Sequence, residues 1–246
     1  MPATKILRRL GRAAHRFLAR GTERPKFDKS KLQASGYASQ EGQDKWLTQF
    51  LLPGLKNGTF VEIGAFDGVS FSNTLFLEQE LGWSGLAIEP NPNSFSKLTE
   101  NRTCECIHGC VLNKSGTQAF ELVEGESTML SGAQGYRDLR HTERIHREIN
   151  ANRGQIQLIE VPCFTLEQLL EEHSIRRVDY LSIDVEGAEL AILENLRLDE
   201  FDIRVIGVEN NYQDPRIPLH LVRNGYRFHS IVGDEFYVKD IQPLHA

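Results

Sequence analysis

Short apolar runs recur along most of the chain, and amphipathic stretches separate them. The runs cover residues 59–65, 85–90, 104–111, 178–184 and 203–209. Hydrophobic positions at helical spacing follow several of them, over residues 72–81, 92–100 and 186–196. Near-continuous apolar runs predict strands that are buried on both faces, and strands that alternate with helices predict a mostly parallel sheet covered by helices on both sides.

The last part of the sequence follows a different pattern. Two further strands are predicted over residues 226–232 and 235–240, and Gly233-Asp234 between them is a signal for a tight turn. A turn this short joins antiparallel strands. The predicted fold class is therefore α/β, with a Rossmann-like, mostly parallel seven-stranded sheet and a C-terminal antiparallel hairpin.

An insertion interrupts the alternation after the third core strand. Two extra strands are predicted over residues 118–123 and 157–161, with a polar helix near residues 136–150 between them. The segment 124–156 is rich in basic side chains, namely Arg137, Arg140, His141, Arg144, His146 and Arg147. Insertions between core elements often determine specificity, so one interpretation is a substrate lid that binds anions or polar sugars. The other interpretation is a solvated helix face.

Residues 1–36 differ from the rest of the chain in charge. Residues 1–26 hold eight basic residues and one acid, a net charge of +7, whereas the whole chain carries −6. Apolar positions at helical spacing over residues 5–19 predict a basic amphipathic helix, which a polar linker follows. Such a helix suits an anionic membrane surface, or it docks on the main domain (37–246) or on a partner.

Composition restricts the classes of function. A chain of 246 residues, 40% of them hydrophobic, suits one α/β domain with a packed core. The net charge of −6 gives no basis for nucleic-acid binding. No secretory signal or membrane-spanning stretch is visible, so the expected location is cytoplasmic, with peripheral membrane contact through residues 5–19 as an extension. The four cysteines, at positions 104, 106, 110 and 163, are then expected to be reduced core residues rather than zinc ligands.

The end of the first core strand carries the strongest candidate for a ligand site. Glu62, Gly64, Asp67 and Gly68 follow one another closely there. Glycines let a backbone approach a ligand, and open α/β sheets bind ligands at the carboxyl ends of their strands. The dinucleotide fingerprint G-x-G-x-x-G is absent, and two acids would repel a pyrophosphate, so the acids favour a cationic ligand. Glu89, about twenty residues beyond the loop, is placed to bind ribose hydroxyls.

A second polar cluster follows the fourth and fifth core strands. Asp184 ends one strand, Glu186 begins the next helix and Glu209 ends the neighbouring strand. Side chains at adjacent strand ends share one cleft, where these could deprotonate a hydroxyl or hold magnesium through oxygen ligands. The alternative is helix capping by Asp184 and Glu186. Asp184 is the first candidate base, ahead of Glu209 and of His108 at the end of the third strand.

These motifs together resemble the FkbM family of methyltransferases. The resemblance covers about residues 37–240 and rests on YASQEGQD (37–44), VEIGAFDG (61–68), SNT (72–74), GW (82–83), IEP (88–90) and IDVEGAE (183–189). It implies a class I methyltransferase fold, S-adenosylmethionine as the methyl donor and, usually, O-methylation. It is weakest over residues 1–36 and 124–156.

The resemblance also implies roles for individual residues. By position, the methionine end of the cofactor would be lined by Glu62, Gly64, Asp67, Gly68, Ser72 and Asn73. Glu89 would bind the ribose, and Cys110 and Val111 would form the wall beside the adenine. Asp184 and Glu186 would lie next to the transferred methyl group.

The expected acceptor is a hydroxyl group of a small molecule or a glycan. Two other functions stay open. A non-catalytic protein of the same fold could tether partners or a membrane through the basic N-terminal helix. A nicotinamide-dependent oxidoreductase would share the sheet and the ribose-binding acid, although the missing fingerprint counts against it.

Overall fold

The computed structural model describes residues 25–240 apart from residues 126, 138 and 153, so the basic helix predicted over 5–19 lies outside the described residues. The helices are α1 Lys29–Ala34, α2 Gln43–Trp46, α3 Leu75–Leu81, α4 Pro92–Asn101, α5 Leu139–Asn152, α6 Leu166–Glu172, α7 Glu189–Asn195 and α8 Arg216–Arg223. The strands are β1 Thr59–Ile63, β2 Ser84–Glu89, β3 Glu105–His108, β4 Cys110–Val111, β5 Gly116–Val123, β6 Gly132–Ala133, β7 Ile156–Phe164, β8 Arg177–Ile183, β9 Asp202–Val208, β10 Tyr226–Val232 and β11 Asp234–Lys239. Within this described part of the chain, every helix is too short or too polar to cross a bilayer.

The main sheet has seven strands in the order β10-β11-β9-β8-β1-β2-β3. The five strands from β9 to β3 pair in parallel, and β11 is antiparallel to both β9 and β10. The predicted α/β fold, with its mostly parallel sheet and C-terminal antiparallel hairpin, is confirmed. The chain order reverses between β8 and β1, and a crevice opens at the strand ends at such a point.

Side chains of the central strands alternate between two hydrophobic layers. In β8, Tyr180 packs in a cluster with Trp46 and Leu77 on one face of the sheet. The next residue, Leu181, belongs to a larger cluster on the other face, together with Leu169 of α6. Strands buried on both faces read as continuous apolar runs because neither face is polar. This burial explains why the central strands could be predicted from the sequence.

The apolar run at residues 104–111 is two strands and not one. Gly109 separates β3 from β4 with a φ of +154°, and a Cβ at this position would lie 2.8 Å from the carbonyl oxygen of Pro162. β3 pairs with β2 at the edge of the main sheet, whereas β4 pairs in parallel with β7. The turn at Gly109 therefore leads the chain from the main sheet into a second one.

The insertion builds this second sheet, in the order β4-β7-β5-β6. The two extra strands predicted by the sequence are present as β5 and β7, which pair antiparallel from Gly116 opposite Cys163 to Val123 opposite Ile156. The polar helix between them is α5. The inner face of this sheet buries Phe120 with residues of β4 and β7.

Part of the predicted N-terminal linker is folded against the domain. Asp28 caps α1 through a hydrogen bond from the backbone N–H of Ser30, at 3.1 Å, and Leu32 of this helix is buried. The following loop, residues 38–43, is held by the carboxylate of Asp44, which accepts hydrogen bonds from the backbone N–H groups of residues 38 and 39. A bridge between Ser39 and Phe71 then places this loop beside the one that follows β1.

Candidate functional site

A cavity of about 410 Å³ opens at the carboxyl ends of β1, β2, β8 and β9. Of the residues proposed from the sequence, it is lined by Glu62, Gly64, Ser72, Asn73, Glu89, Cys110, Val111, Asp184, Glu186 and Glu209. The cavity lies where the strand order reverses, which is the usual ligand position in an open α/β sheet. Most of the predicted site residues are therefore brought together in one crevice.

Gly64 allows the ends of β1 and β8 to approach closely. Its φ is +89°, and a Cβ there would lie 1.8 Å from the carbonyl oxygen of Asp184. The backbone N–H of Asp184 donates to the carbonyl of Ile63 at 3.0 Å, which keeps the two strand ends together. No side chain fits at position 64, so bare backbone forms this part of the cavity wall.

Glu62, the acid expected to attract a cation, is neutralised by groups of the protein itself. Its carboxylate accepts hydrogen bonds from the Ser72 hydroxyl at 3.0 Å, the Asn73 backbone N–H at 2.7 Å and the Thr74 hydroxyl at 2.7 Å. Arg102 Nη1 lies 3.2 Å from its Oε2, and both side chains are buried. Hydrogen bonds of this number offset the desolvation of a buried ion pair. Glu62 therefore fixes the loop before α3.

Asp67 and Gly68 are not among the residues that line the cavity, and their place at the methionine end of a cofactor stays a prediction. The Asp67 carboxylate accepts hydrogen bonds from the backbone N–H groups of Val69 at 3.0 Å and Ser70 at 2.7 Å and so closes a turn. Gly68 has a φ of +80°, and a Cβ there would lie 2.7 Å from Arg102 Cγ. Both residues stabilise the conformation of the loop that follows β1.

Glu89 is buried at the end of β2 and faces the cavity. Its carboxylate accepts hydrogen bonds from the backbone N–H groups of Phe66 at 2.9 Å and Asn91 at 2.8 Å. Burial raises the pKa of Glu89 to about 7, because it disfavours the charged form by more than these bonds restore. The carboxylate thus joins the loop after β1 to the start of α4 and is available to a ligand in the cavity.

Cys110 and Val111 enter the cavity wall as β4, after the turn at Gly109. Cys110 and its register partner Cys163 are buried, and all four cysteines are free thiols. The one group of possible metal ligands among the described residues contains no cysteine. The expectation of reduced cysteines packed in the protein is consistent with this arrangement.

Three carboxyl groups converge where β8 and β9 end. One oxygen from each of Asp184, Glu186 and Glu209 lies within 4.8 Å of the others. Burial, and next the charges of Asp184 and Glu186, raise the pKa of Glu209 to about 11. Burial likewise raises the pKa of Glu186 to about 8. It raises the pKa of Asp184 as well, but a hydrogen bond with Glu209 acts in the opposite direction.

Helix capping does not account for this acid group. The following helix begins at Glu189, and its N-cap is Ala188, which makes no side-chain cap hydrogen bond. Glu189 itself accepts hydrogen bonds from the backbone N–H groups of Val185 at 3.2 Å and Gly187 at 2.9 Å. Asp184 and Glu186 are therefore directed to the cavity.

His108 is not among the residues that line the cavity, and its role as a base stays a prediction. Its Nε2 lies 3.2 Å from the carbonyl oxygen of Pro90, and its ring stacks on Phe95 with 4.9 Å between centroids. A general base must come within hydrogen-bond reach of its substrate. His108 instead holds the connection after β2 to the edge strand.

The insertion covers one side of the cavity near the acid group. Arg144 of α5 lines the cavity, and its charge lowers the pKa of Asp184 and of Glu186. Next to it, the guanidinium of Arg140 lies 4.7 Å above the ring of Tyr212. The function of the insertion as a substrate lid stays a prediction. The side chain of His141, also proposed for this lid, lies outside the described ones.

Several cavity residues were missed by the sequence reasoning. They are Gln40, Glu41, Gln43, Thr128, Met129, Ser131 and Asp234. The first three lie in the YASQEGQD motif, whose part in the family resemblance was the available signal. Asp234 was identified as a turn residue only, and nothing in the local pattern singles out residues 128–131.

The family comparison agrees with this geometry. Residues 62–228 match the profile described as the methyltransferase FkbM domain. No curated protein matches the chain in sequence.

Solved structures of methyltransferases show limited similarity. The methyltransferase FkbM from Methylobacillus flagellatus KT is 13% identical with a TM-score of 0.49, and the match covers 96% of this chain and 60% of that chain. A SAM dependent methyltransferase from Aquifex aeolicus is 14% identical with a TM-score of 0.38, over 87% of this chain and 97% of that chain. The N-terminal domain of human METTL16 is 12% identical with a TM-score of 0.39, and the match covers 75% of this chain and 62% of that chain. The chain thus spans about 60% of the length of the first of these proteins.

Proposed function

Because this chain belongs to the FkbM methyltransferase domain family, we propose that it transfers a methyl group from S-adenosylmethionine to a hydroxyl oxygen of a small molecule or glycan. The family and the fold are those of S-adenosylmethionine-dependent methyltransferases. The observation that carries the proposal is that Glu89 and the acid group of Asp184 and Glu209 line the same crevice. One end suits a ribose, and the other suits a hydroxyl that loses a proton.

The residues around the crevice fit the cofactor. The backbone at Gly64 leaves a cradle that any Cβ would fill. Glu89 supplies a carboxylate for ribose hydroxyls, and Cys110 and Val111 supply an apolar wall. The missing G-x-G-x-x-G fingerprint opposes the nicotinamide alternative.

The cofactor, when bound, supplies an electrophilic methyl group on a sulfonium. The chain has to hold the acceptor oxygen in line and remove its proton. Asp184 is the acid suited to this task, because Glu209 retains its proton at neutral pH and shares a hydrogen bond with Asp184. The proton of the acceptor hydroxyl would move to an Asp184 carboxylate oxygen.

The acid group also bears on the acceptor and on a metal. Carboxyl groups accept hydrogen bonds from hydroxyls, so a polyhydroxylated acceptor suits this end of the cavity. Asp184, Glu186 and Glu209 would offer oxygen ligands of the kind that magnesium prefers. A metal requirement stays a prediction, and turnover in the presence of EDTA tests it.

The experiment that tests the proposal is calorimetric titration with S-adenosylhomocysteine. We expect wild-type protein to bind it with micromolar affinity and Glu89→Ala to lose most of that affinity, because the ribose contact is removed. The matched control is Glu105→Ala, an exposed glutamate in β3 outside the cavity wall, which should bind as wild type does.

Failure of folded, ligand-free wild-type protein to bind S-adenosylhomocysteine would contradict the proposal. The non-catalytic tethering function would then be favoured. Equal affinity of Glu89→Ala and wild type would instead remove the ribose contact and leave the cofactor assignment standing.

A further inference from the structure

One buried acceptor at the cavity lacks a hydrogen bond. Asn73 lines the cavity with 5% of its surface exposed, and its Oδ1 has no hydrogen-bond partner among the described residues. A buried acceptor left unpaired has lost its hydrogen bonds to water without replacement, which destabilises the folded protein. An acceptor of this kind at a cavity wall is placed to receive a hydrogen bond from a ligand.

The orientation of the Asn73 amide is fixed by the hydrogen bonds of its nitrogen, Nδ2. Nδ2 donates hydrogen bonds to Ser182 Oγ at 3.0 Å and to Asp234 Oδ2 at 3.2 Å. A flipped amide would point its oxygen at the carboxylate of Asp234, an acceptor against an acceptor. Oδ1 is therefore the atom left without a partner.

The backbone of Asn73 is fixed as well. Its N–H donates to Glu62 Oε1 at 2.7 Å, and Glu62 is held in turn by Arg102 at 3.2 Å. The motif acid Glu62 therefore serves as a positioning residue: its charge is consumed by Arg102 and the loop before α3, and its effect on the cavity passes through Asn73.

The charges near Asn73 select the kind of donor. Asp234 accepts a hydrogen bond from the Asn73 amide, and the charge of Asp184 lies close enough to raise the pKa of Asp234 after burial has done so. Arg102, the cation behind Glu62, has its donors occupied by Glu62, Glu78 and the loop. A cationic donor is therefore favoured at Oδ1 over a neutral one.

We propose that Asn73 Oδ1 accepts a hydrogen bond from the α-ammonium group of the cofactor's amino-acid end, and that Glu62 acts by positioning Asn73. This inference rests on the proposed function, because it assumes S-adenosylmethionine as the ligand of the cavity. It assigns the selection of the amino-acid end to an amide oxygen and not to the charge of the motif acid.

The test compares ligands that differ at one end. S-adenosylhomocysteine carries the amino-acid end, its desamino analogue lacks only the amino group, and 5′-methylthioadenosine lacks the whole amino-acid end. Affinities are measured by calorimetry on wild type, Asn73→Ala and the exposed control Asn93→Ala. Thermal unfolding verifies that each variant is folded, and Asn73→Leu replaces Asn73→Ala if the smaller side chain prevents folding.

Three results are expected together. Wild type binds the desamino analogue roughly 10–100-fold more weakly than S-adenosylhomocysteine. Asn73→Ala loses a similar factor for S-adenosylhomocysteine but keeps its affinity for 5′-methylthioadenosine. The penalty for the missing amino group disappears in Asn73→Ala, because the partner of that group is gone.

Other outcomes would overturn the inference in distinguishable ways. If wild type binds S-adenosylhomocysteine and Asn73→Ala binds it equally well, the ammonium contact is wrong and the proposed function stands. Equal losses for all three ligands would make Asn73 a structural residue only. Absence of any binding by wild type would remove the proposed function together with the inference.

Discussion

Asp184 and Glu209 are two neighbouring carboxyl groups with unequal proton affinities. Burial and the charges of nearby acids raise the pKa of Glu209 to about 11, so it is a donor at neutral pH. Asp184 receives that hydrogen bond, which favours its charged form. Asparagine in place of Asp184 keeps the shape and the acceptor oxygen but removes the capacity to take up a proton.

We expect Asp184→Asn to reduce turnover by roughly 10²–10⁴-fold, the usual contribution of a general base, with affinity for S-adenosylhomocysteine near the wild-type value. Release of S-adenosylhomocysteine with a hydroxyl acceptor gives the turnover. Asp199→Asn, an exposed acid between α7 and β9, is the control. Turnover of Asp184→Asn at the wild-type rate would exclude Asp184 as the base.

Single residues also mark a limit of prediction from sequence. The acidic character of position 62 and its place at a strand end could be predicted from the local motif. Its neutralisation could not, because Arg102 lies forty residues away and its approach depends on how α4 packs. The turn that Asp67 closes could not be predicted either, because an acid in a glycine-rich loop closes turns as readily as it binds ligands.

At the scale of elements, α5 connects the insertion to the reaction site. Arg144 faces the acid group, and Arg147, one turn further on, is exposed. The charge of Arg144 lowers the pKa of Asp184 and Glu186. The helix therefore influences the proton affinity of Asp184, the proposed base, and lines part of the cavity.

The pair of arginines gives a matched test of α5. With Arg144→Ala, the pKa of Asp184 should rise, so the ascending limb of the pH–rate profile should move to higher pH. Arg147→Ala removes the same charge from an exposed side chain that does not line the cavity, and it should leave the profile in place. Superimposable profiles for wild type and Arg144→Ala would show that α5 does not act on the base.

Elements differed in how far the sequence predicted them. The strands β1, β2, β8 and β9 are buried on both faces, and their apolar runs predicted them almost to the residue. The apolar run through Gly109 was divided by a tertiary contact with Pro162, which no local pattern contains. The strands of the insertion were predicted, but their pairing with β4 into a separate sheet depends on register between residues far apart in the chain.

At the scale of the whole molecule, several buried carboxyl groups around the cavity have raised pKa values. Burial raises the pKa of Glu89 and Glu189 to about 7, of Glu186 and Asp234 to about 8 and of Glu209 to about 11. In the unfolded chain these groups return to values near 4. Between about pH 5 and pH 8 the folded protein therefore binds more protons than the unfolded one.

The sign of the pH dependence follows from that difference. Unfolding releases protons in this range, so the free energy of unfolding of the ligand-free protein should fall as pH rises from 5 to 8, by about 1.4 kcal/mol per pH unit for each proton released. Urea unfolding at a series of pH values measures the slope. Glu209→Gln removes one of these groups and should flatten it, and a stability that increases across the range would contradict the prediction.

Charge is also unevenly distributed along the chain. Residues 1–26 carry +7 and the remainder −13. We propose that this basic segment binds anionic membrane surfaces.

The full chain should sediment with phosphatidylserine-containing vesicles and not with phosphatidylcholine vesicles. A chain that starts at Phe27, which packs next to Gly42, should stay folded and lose this binding. Indifference of the full chain to both vesicles would favour docking of the segment on the protein.

The pairing of β4 with β7 in the second sheet matters for the design of chimeras between members of the family. The strands that begin and end the insertion, β4 and β7, are hydrogen-bonded neighbours, with Cys110 opposite Cys163 and Val111 opposite Phe164. The insertion therefore begins and ends at neighbouring positions in the fold. An insertion of a different length could join β4 to β7 without changing the main sheet. A chimera that takes residues 110–164 as one cassette would carry the α5 cover and the β4 cavity wall together. Acceptor choice could then be transplanted as a unit, while the crevice at β1 and β2 stays that of the recipient.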